Sequence, residues 1–167
     1  MTEAKRKMET ETKKESMAPT KPEEIVRKYI DAKDCHDWAA LVALLDPDYM
    51  SYDPTFPEPV KGIEPLRKFF EMLEKVEMKT RIISMMSKGD TVAAELEVTC
   101  TLRRSGEIVH NEELPSDHPF VVRFAKFYRV NSKGLLAEER EYSDTATKLH
   151  ALGSDIASEF QAIGAKE

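Results

Sequence analysis

Residues 44–70 read LLDPDYMSYDPTFPEPVKGIEPLRKFF. This stretch decides the fold, because it carries a helix end, a short strand, a proline-stiffened loop and a new helix in direct succession. Asp46-Pro47 is expected to end the preceding helix, since proline has no N–H to continue the ladder and clashes with the turn before it. Tyr49 to Tyr52 reads as a short strand. Pro54, Pro57 and Pro59 keep the next segment out of a sheet ladder. Gly62 and Pro65 then open a helix with Leu66, Phe69, Phe70 and Leu73 on one face. Tyr52 and Asp53 fall at the strand end, where side chains commonly line a pocket.

Working outward, Pro22 suits a first helical turn, and Ile25, Val26, Tyr29 and Ile30 follow at helical spacing. Lys33-Asp34 breaks that pattern, and Asp37 is placed to cap a second helix running through Leu45. Beyond the third helix the period falls to two. Thr80–Ser87 is an expected strand, and Lys88-Gly89-Asp90 an expected hairpin turn. In the next strand Val92, Ala94, Leu96, Val98, Cys100 and Leu102 alternate with Glu95, Glu97, Thr99, Thr101 and Arg103. A polar segment, 105–119, precedes strands expected at Phe120–Val130 and Leu135–Ser143. A helical tail with Leu149, Leu152, Ile156, Phe160 and Ile163 closes the chain. Helices first and an antiparallel meander afterwards is an α+β pattern.

The length of 167 residues suits one domain with an ordinary core. Hydrophobic content of 41% with 34% charged residues describes a water-soluble globular chain. A net charge of −6 argues against nucleic acid, which needs a basic face. Residues 1–21 hold few large apolar side chains besides methionine, so they read as a disordered arm. The longest apolar run, Trp38 to Leu45, is far too short to span a bilayer. Two cysteines, Cys35 and Cys100, make neither a disulfide framework nor a metal-type pair, and a reducing cytoplasm is the expected location.

Three segments together resemble one family: DWAALVALLDPDYMSYDP at 37–54, GIEPLRKFF at 62–70 and LLAEEREYSDTATKLHALG at 135–153. The combination resembles the SnoaL-like polyketide cyclases of the nuclear transport factor 2-like superfamily, with limonene epoxide hydrolases and ketosteroid isomerases as related members. It covers residues 22–153 and leaves the arm and the tail at 154–167 unmatched. The resemblance implies a curved antiparallel sheet wrapped by helices into a cone. It also implies an internal site for a small apolar or polyketide-like molecule, chemistry without a cofactor, and homodimers that pair through the outer face of the sheet.

It further implies an acid or base near the end of the last strand, which falls on Glu141 in Arg140-Glu141-Tyr142-Ser143-Asp144. A carboxyl enclosed in an apolar cone is expected to have a raised pKa, useful for moving a proton near neutrality. The bland alternative is a solvated acidic strand face. Alternation puts Glu139, Glu141 and Ser143 on one side and Glu138, Arg140 and Tyr142 on the other, so only one set can face the interior. Asp144 is the second carboxylate candidate, although its place before Thr145 better suits a helix N-cap. Asp53 is the third, balanced against a turn role beside Pro54.

Tyr52, Tyr29, Arg123 and His110 complete the expected ligand-binding set. For Tyr29 a core position with a satisfied hydroxyl is the commoner case. Arg123 can pair with a strand carboxylate or bind an acidic group, and an outward-facing strand Arg is the default. His110, with His118 and nearby acidic residues, matches no metal-ligand spacing, so no metal is expected and a loop over the pocket is the better reading. The middle strand reads Glu95-Leu96-Glu97 where related epoxide hydrolases carry an Arg-x-Asp pair, which argues against that chemistry. Two functions follow: a cyclase or isomerase using carboxylate acid–base chemistry, or a non-catalytic binding or dimerisation module. An enzyme needs a buried carboxyl in an open cavity; a scaffold can fill its cone with Phe and Met side chains.

Overall fold

The computed structural model describes residues 21–54, 56–102 and 119–143. Three helices precede or interrupt a curved six-stranded sheet. They are α1 (Lys21–Asp34), α2 (Trp38–Ala43) and α3 (Glu64–Leu73). The strands are β1 (Leu45–Tyr52), β2 (Val60–Lys61), β3 (Val76–Lys88), β4 (Thr91–Leu102), β5 (Phe120–Val130) and β6 (Leu136–Ser143). Their order across the sheet is β2-β1-β6-β5-β4-β3. This is the expected α+β architecture. Every pairing is antiparallel except β1 with β6, which is parallel.

Local chemistry accounts for most boundaries. The Asp37 side chain accepts from Ala40 N at 3.0 Å, the expected N-cap of α2. Gly89 has φ +63° in the two-residue turn between β3 and β4, a conformation that suits glycine. Asp34 at the end of α1 accepts from Thr80 N at 2.6 Å and Thr80 Oγ1 at 2.7 Å, which pins that helix to β3.

Three boundaries depart from the sequence expectation. Helix α2 stops at Ala43 instead of Leu45, and Asp46-Pro47 lies within β1. The cause is tertiary: Leu136 N donates to Leu44 O at 2.8 Å, so β6 takes the carbonyl there. The β1–β6 register shifts between Leu45 and Met50, which lets Pro47 sit in a strand without breaking a regular ladder. Likewise β3 begins at Val76 and not Thr80, because Val76 and Met78 pair with Leu102 and Cys100.

The concave face of the sheet meets α1 and α3. Val26, Tyr29 and Ile30 of α1, Leu66 and Phe70 of α3, and Val92, Ala94 and Leu96 of β4 form one buried cluster with Tyr49, Tyr128 and Leu136. Trp38 is stacked between His36 (5.2 Å) and Phe70 (4.7 Å, 3° between planes). Its indole N–H donates to Glu74. No helix among the described residues is long and apolar enough to cross a membrane. The expected N-terminal arm apart from Lys21, and the C-terminal tail, lie outside the described residues.

Candidate functional site

A cavity of about 120 Å³ opens between the concave sheet face and the helices. Its walls are mostly apolar, with Phe56, Phe69, Phe70, Leu96, Val98 and Phe124 among them. One end is polar. Alternation along β5 sends Val122, Phe124, Lys126 and Tyr128 inward, and along β6 it sends Glu139 and Glu141 inward. Lys126, Glu139 and Glu141 are 5%, 4% and 8% exposed, the buried charged residues among the described ones.

Those three side chains form one network. Lys126 Nζ lies 2.8 Å from Glu141 Oε2 and shorter still from Glu139 Oε1, bridging the two carboxylates. Glu139 Oε2 accepts from Tyr29 OH at 2.8 Å and from Tyr49 OH at 2.9 Å. Glu141 Oε1 accepts from Ser143 Oγ at 3.2 Å. Lys126 also stands over the Phe124 ring, 5.1 Å from its centroid. The tyrosines come from α1 and β1, the lysine from β5, the carboxylates from β6.

The electrostatics separate the roles. Burial alone would raise the Glu139 pKa, but the charges of Lys126 and Lys33 together with the Lys126 hydrogen bond outweigh it and hold the carboxyl below the usual glutamate range. Burial works against the Lys126 charge, and Glu139 and Glu141 overcome it, so its pKa lies well above that of an ordinary lysine. A lysine held charged is no amine nucleophile. Tyr29 and Tyr49 are pushed up by burial and by the Glu139 charge, so both stay protonated as donors.

Of the expected site residues, Glu141 and Tyr29 meet at this centre. Glu141 does not stand alone in apolar surroundings as the sequence suggested; it shares Lys126 with Glu139. Asp53 lines the same cavity, and both Asp53 and Glu141 also line a wider cleft of about 370 Å³ outside it. Tyr52 is placed elsewhere: it is 37% exposed, lines only that outer cleft, and carries the Arg140 guanidinium 5.2 Å from its ring. It is Tyr49 and Ser51 of β1 that face the cavity, because strand alternation puts these odd-numbered residues on the inner side.

Of the readings open for Arg123, the structure shows the outward-facing strand residue paired with a carboxylate. It points to the convex face and donates to Glu97 Oε2 at 3.1 Å, while Arg81 donates to Glu97 Oε1 at 2.7 Å. Hydrogen bonds from the two arginines keep the Glu97 carboxyl low. On β4, therefore, Leu96 faces the cavity and both glutamates face away from it. His110 and Asp144 lie outside the described residues. Among those described, no group of three or more His, Cys, Asp or Glu could hold a metal ion.

Lys126, Glu139 and Tyr49 are the members that sequence reasoning missed. A signal existed for Lys126: it keeps phase with Val122, Tyr128 and Val130, whereas Arg123 and Arg129 fall on the other phase.

The SnoaL-like domain family matches residues 26–139, and the chain belongs to this family. The fold recurs in solved structures. A candidate polyketide cyclase from Xanthomonas campestris pv. campestris has a TM-score of 0.66 at 20% identity, covering 80% of this chain and 97% of its own. An LEH-like epoxide hydrolase of Mycobacterium tuberculosis has a TM-score of 0.60 at 15% identity, covering 75% and 84%. A Mycobacterium tuberculosis protein in complex with estradiol-17beta-hemisuccinate has a TM-score of 0.61 at 19% identity, covering 74% and 94%. At these identities the likeness is one of fold. No functionally curated protein matches the chain.

Proposed function

We propose that the chain binds a small, largely apolar molecule in its internal cavity and acts on it as a cofactor-independent isomerase or cyclase. Glu141 is the acid–base group. Its carboxylate removes a proton from a carbon beside a carbonyl, and the electron pair moves into the enolate. The carboxyl then returns the proton at another carbon, or the enolate carbon attacks a second carbonyl of the same molecule and the proton goes to the new alkoxide.

One observation carries this reading: of the two buried carboxylates among the described residues, Glu141 lines both the cavity and the outer cleft. Glu139 is committed to two tyrosine hydroxyls and Lys126, a set that suits a fixed charge and not a shuttling proton. Asp53 stands where cavity and cleft meet and would orient the ligand. The estradiol hemisuccinate complex of a fold relative agrees with an interior suited to rigid apolar molecules. Cys35 and Cys100 are not joined in a disulfide, in keeping with a reducing cytoplasm.

The test is exchange of the α-protons of 2-tetralone in D2O, followed by proton NMR. The protein should accelerate exchange over buffer, and Glu141→Gln should abolish the acceleration. No acceleration by the wild-type chain would leave a binding module without this chemistry.

A further inference from the structure

Tyr128 is 1% exposed, lines the cavity, and sits two residues from Lys126 on the same face of β5. Its ring meets Tyr29 edge-on, with centroids 6.1 Å apart and planes at 67°. The two other buried tyrosines of the centre, Tyr29 and Tyr49, both donate to Glu139 Oε2. Tyr128 does not share that arrangement: its hydroxyl has no hydrogen-bond partner among the described residues. Buried hydroxyls are rarely left this way, because desolvation without a partner is costly. Where the unpaired group lines a cavity, the partner belongs to what enters the cavity.

We propose that the Tyr128 hydroxyl is a recognition donor for an oxygen atom of the ligand. The molecule bound there is then an oxygenated but otherwise apolar compound, held by a carbonyl or hydroxyl group beside Glu141. Burial and the Glu139 charge keep the Tyr128 phenol protonated across the physiological range, so it donates instead of competing as an anion. A hydrocarbon of the same shape would leave the hydroxyl unpaired and bind less well. Sites that offer a buried polar partner discriminate in this way against analogues lacking the matching group. This inference rests on the proposed cavity ligand and specifies its class.

Two matched probes test it, 2-tetralone and its parent hydrocarbon tetralin, titrated calorimetrically into wild-type protein and Tyr128→Phe. The wild type should prefer the ketone. Tyr128→Phe should weaken ketone binding about tenfold, the worth of one hydrogen bond, and leave tetralin unchanged. The carbonyl stretch of bound 2-tetralone should move to higher frequency in Tyr128→Phe. Thermal melting of the unliganded variant should match or exceed the wild type, because no protein partner is lost. If both probes bind but Tyr128→Phe leaves the preference intact, Tyr128 is not the donor while the cavity reading stands. A clearly lower melting temperature would show that the hydroxyl already serves the fold, through an ordered water, and would overturn the inference. If neither probe binds the wild-type chain, the cavity reading fails and takes this inference with it.

Discussion

Lys126 Nζ lies 2.5 Å from Glu139 Oε1, with each side chain 5% exposed. A buried pair of this kind gives uncertain net stability, because desolvating two charges offsets most of their attraction. Removing one partner is different, since it leaves the other charge buried and unpaired. Lys126→Met should therefore cost about 3–5 kcal/mol in urea denaturation. Adding Glu139→Gln to that variant should recover much of the loss. A single-variant cost within experimental error would mean that the network does not form in solution.

Stability should fall at both ends of the pH scale. In the unfolded chain Glu139 titrates at its ordinary 4.5, whereas the folded value is lower. Between those values the unfolded state binds more protons, so stability rises with pH there and the contribution is complete above 4.5. Lys126, Tyr29 and Tyr49 have raised folded values, so above their ordinary 10.5 and 10.0 the unfolded state loses protons first. Stability then declines as pH climbs past that point. Urea midpoints between pH 3 and pH 11 should show a plateau with two falling limbs, and Glu139→Gln should flatten the acid limb.

Tyr29 and Tyr49 donate to the same oxygen of Glu139. Each single Tyr→Phe change should cost less than the about 1.5–3 kcal/mol of a full hydrogen bond to a charged group, since the other hydroxyl still serves Glu139. The double variant should lose more than the two single costs added together, because either donor alone still satisfies that oxygen. A double-mutant cycle by chemical denaturation measures this. Strict additivity would mean that the two hydroxyls do not share an acceptor.

The convex sheet face exposes Val121, Phe127 and Tyr142, and the rings of Phe127 and Tyr142 meet edge-on at 6.0 Å. We expect this face to pair two copies of the chain. Phe127→Glu should then shift the mass measured by analytical ultracentrifugation from dimer to monomer, without loss of 2-tetralone binding. Arg123→Ala should leave that binding unchanged as well, since Arg123 lies on the same outer face. A monomeric wild-type chain would end the expectation.

The architecture was largely legible in the chain. Alternation from Val92 to Cys100 predicted the inward face of β4, and Glu139 and Glu141 were correctly assigned to one side of β6. What periodicity does not contain is which strand lies beside which. The Lys126–Glu141 pairing across β5 and β6 is a fact of register, and no local pattern states it. Tyr49 and Tyr52 lie three apart in DPDYMSYDP and so fall on opposite strand faces, but periodicity alone does not say which face is the inner one. Arg123 and Lys126 both read as strand cations, and only their phase against neighbouring apolar residues separates outer pair from buried bridge. The ligand oxygen inferred from Tyr128 left no trace in sequence at all, because an unpaired hydroxyl is visible only once its surroundings are packed.

The parallel pairing of β1 with β6 sets a limit on how the chain can acquire its polar centre during translation. Glu139 lies 110 residues after Tyr29 and 90 after Tyr49. Both tyrosines leave the ribosome long before their acceptor exists, and β1 must wait for the last strand of the sheet. Loop closure over such separations slows folding. The growing chain therefore holds no partial version of this centre, and a nascent chain arrested before residue 139 lacks the acceptor both hydroxyls need.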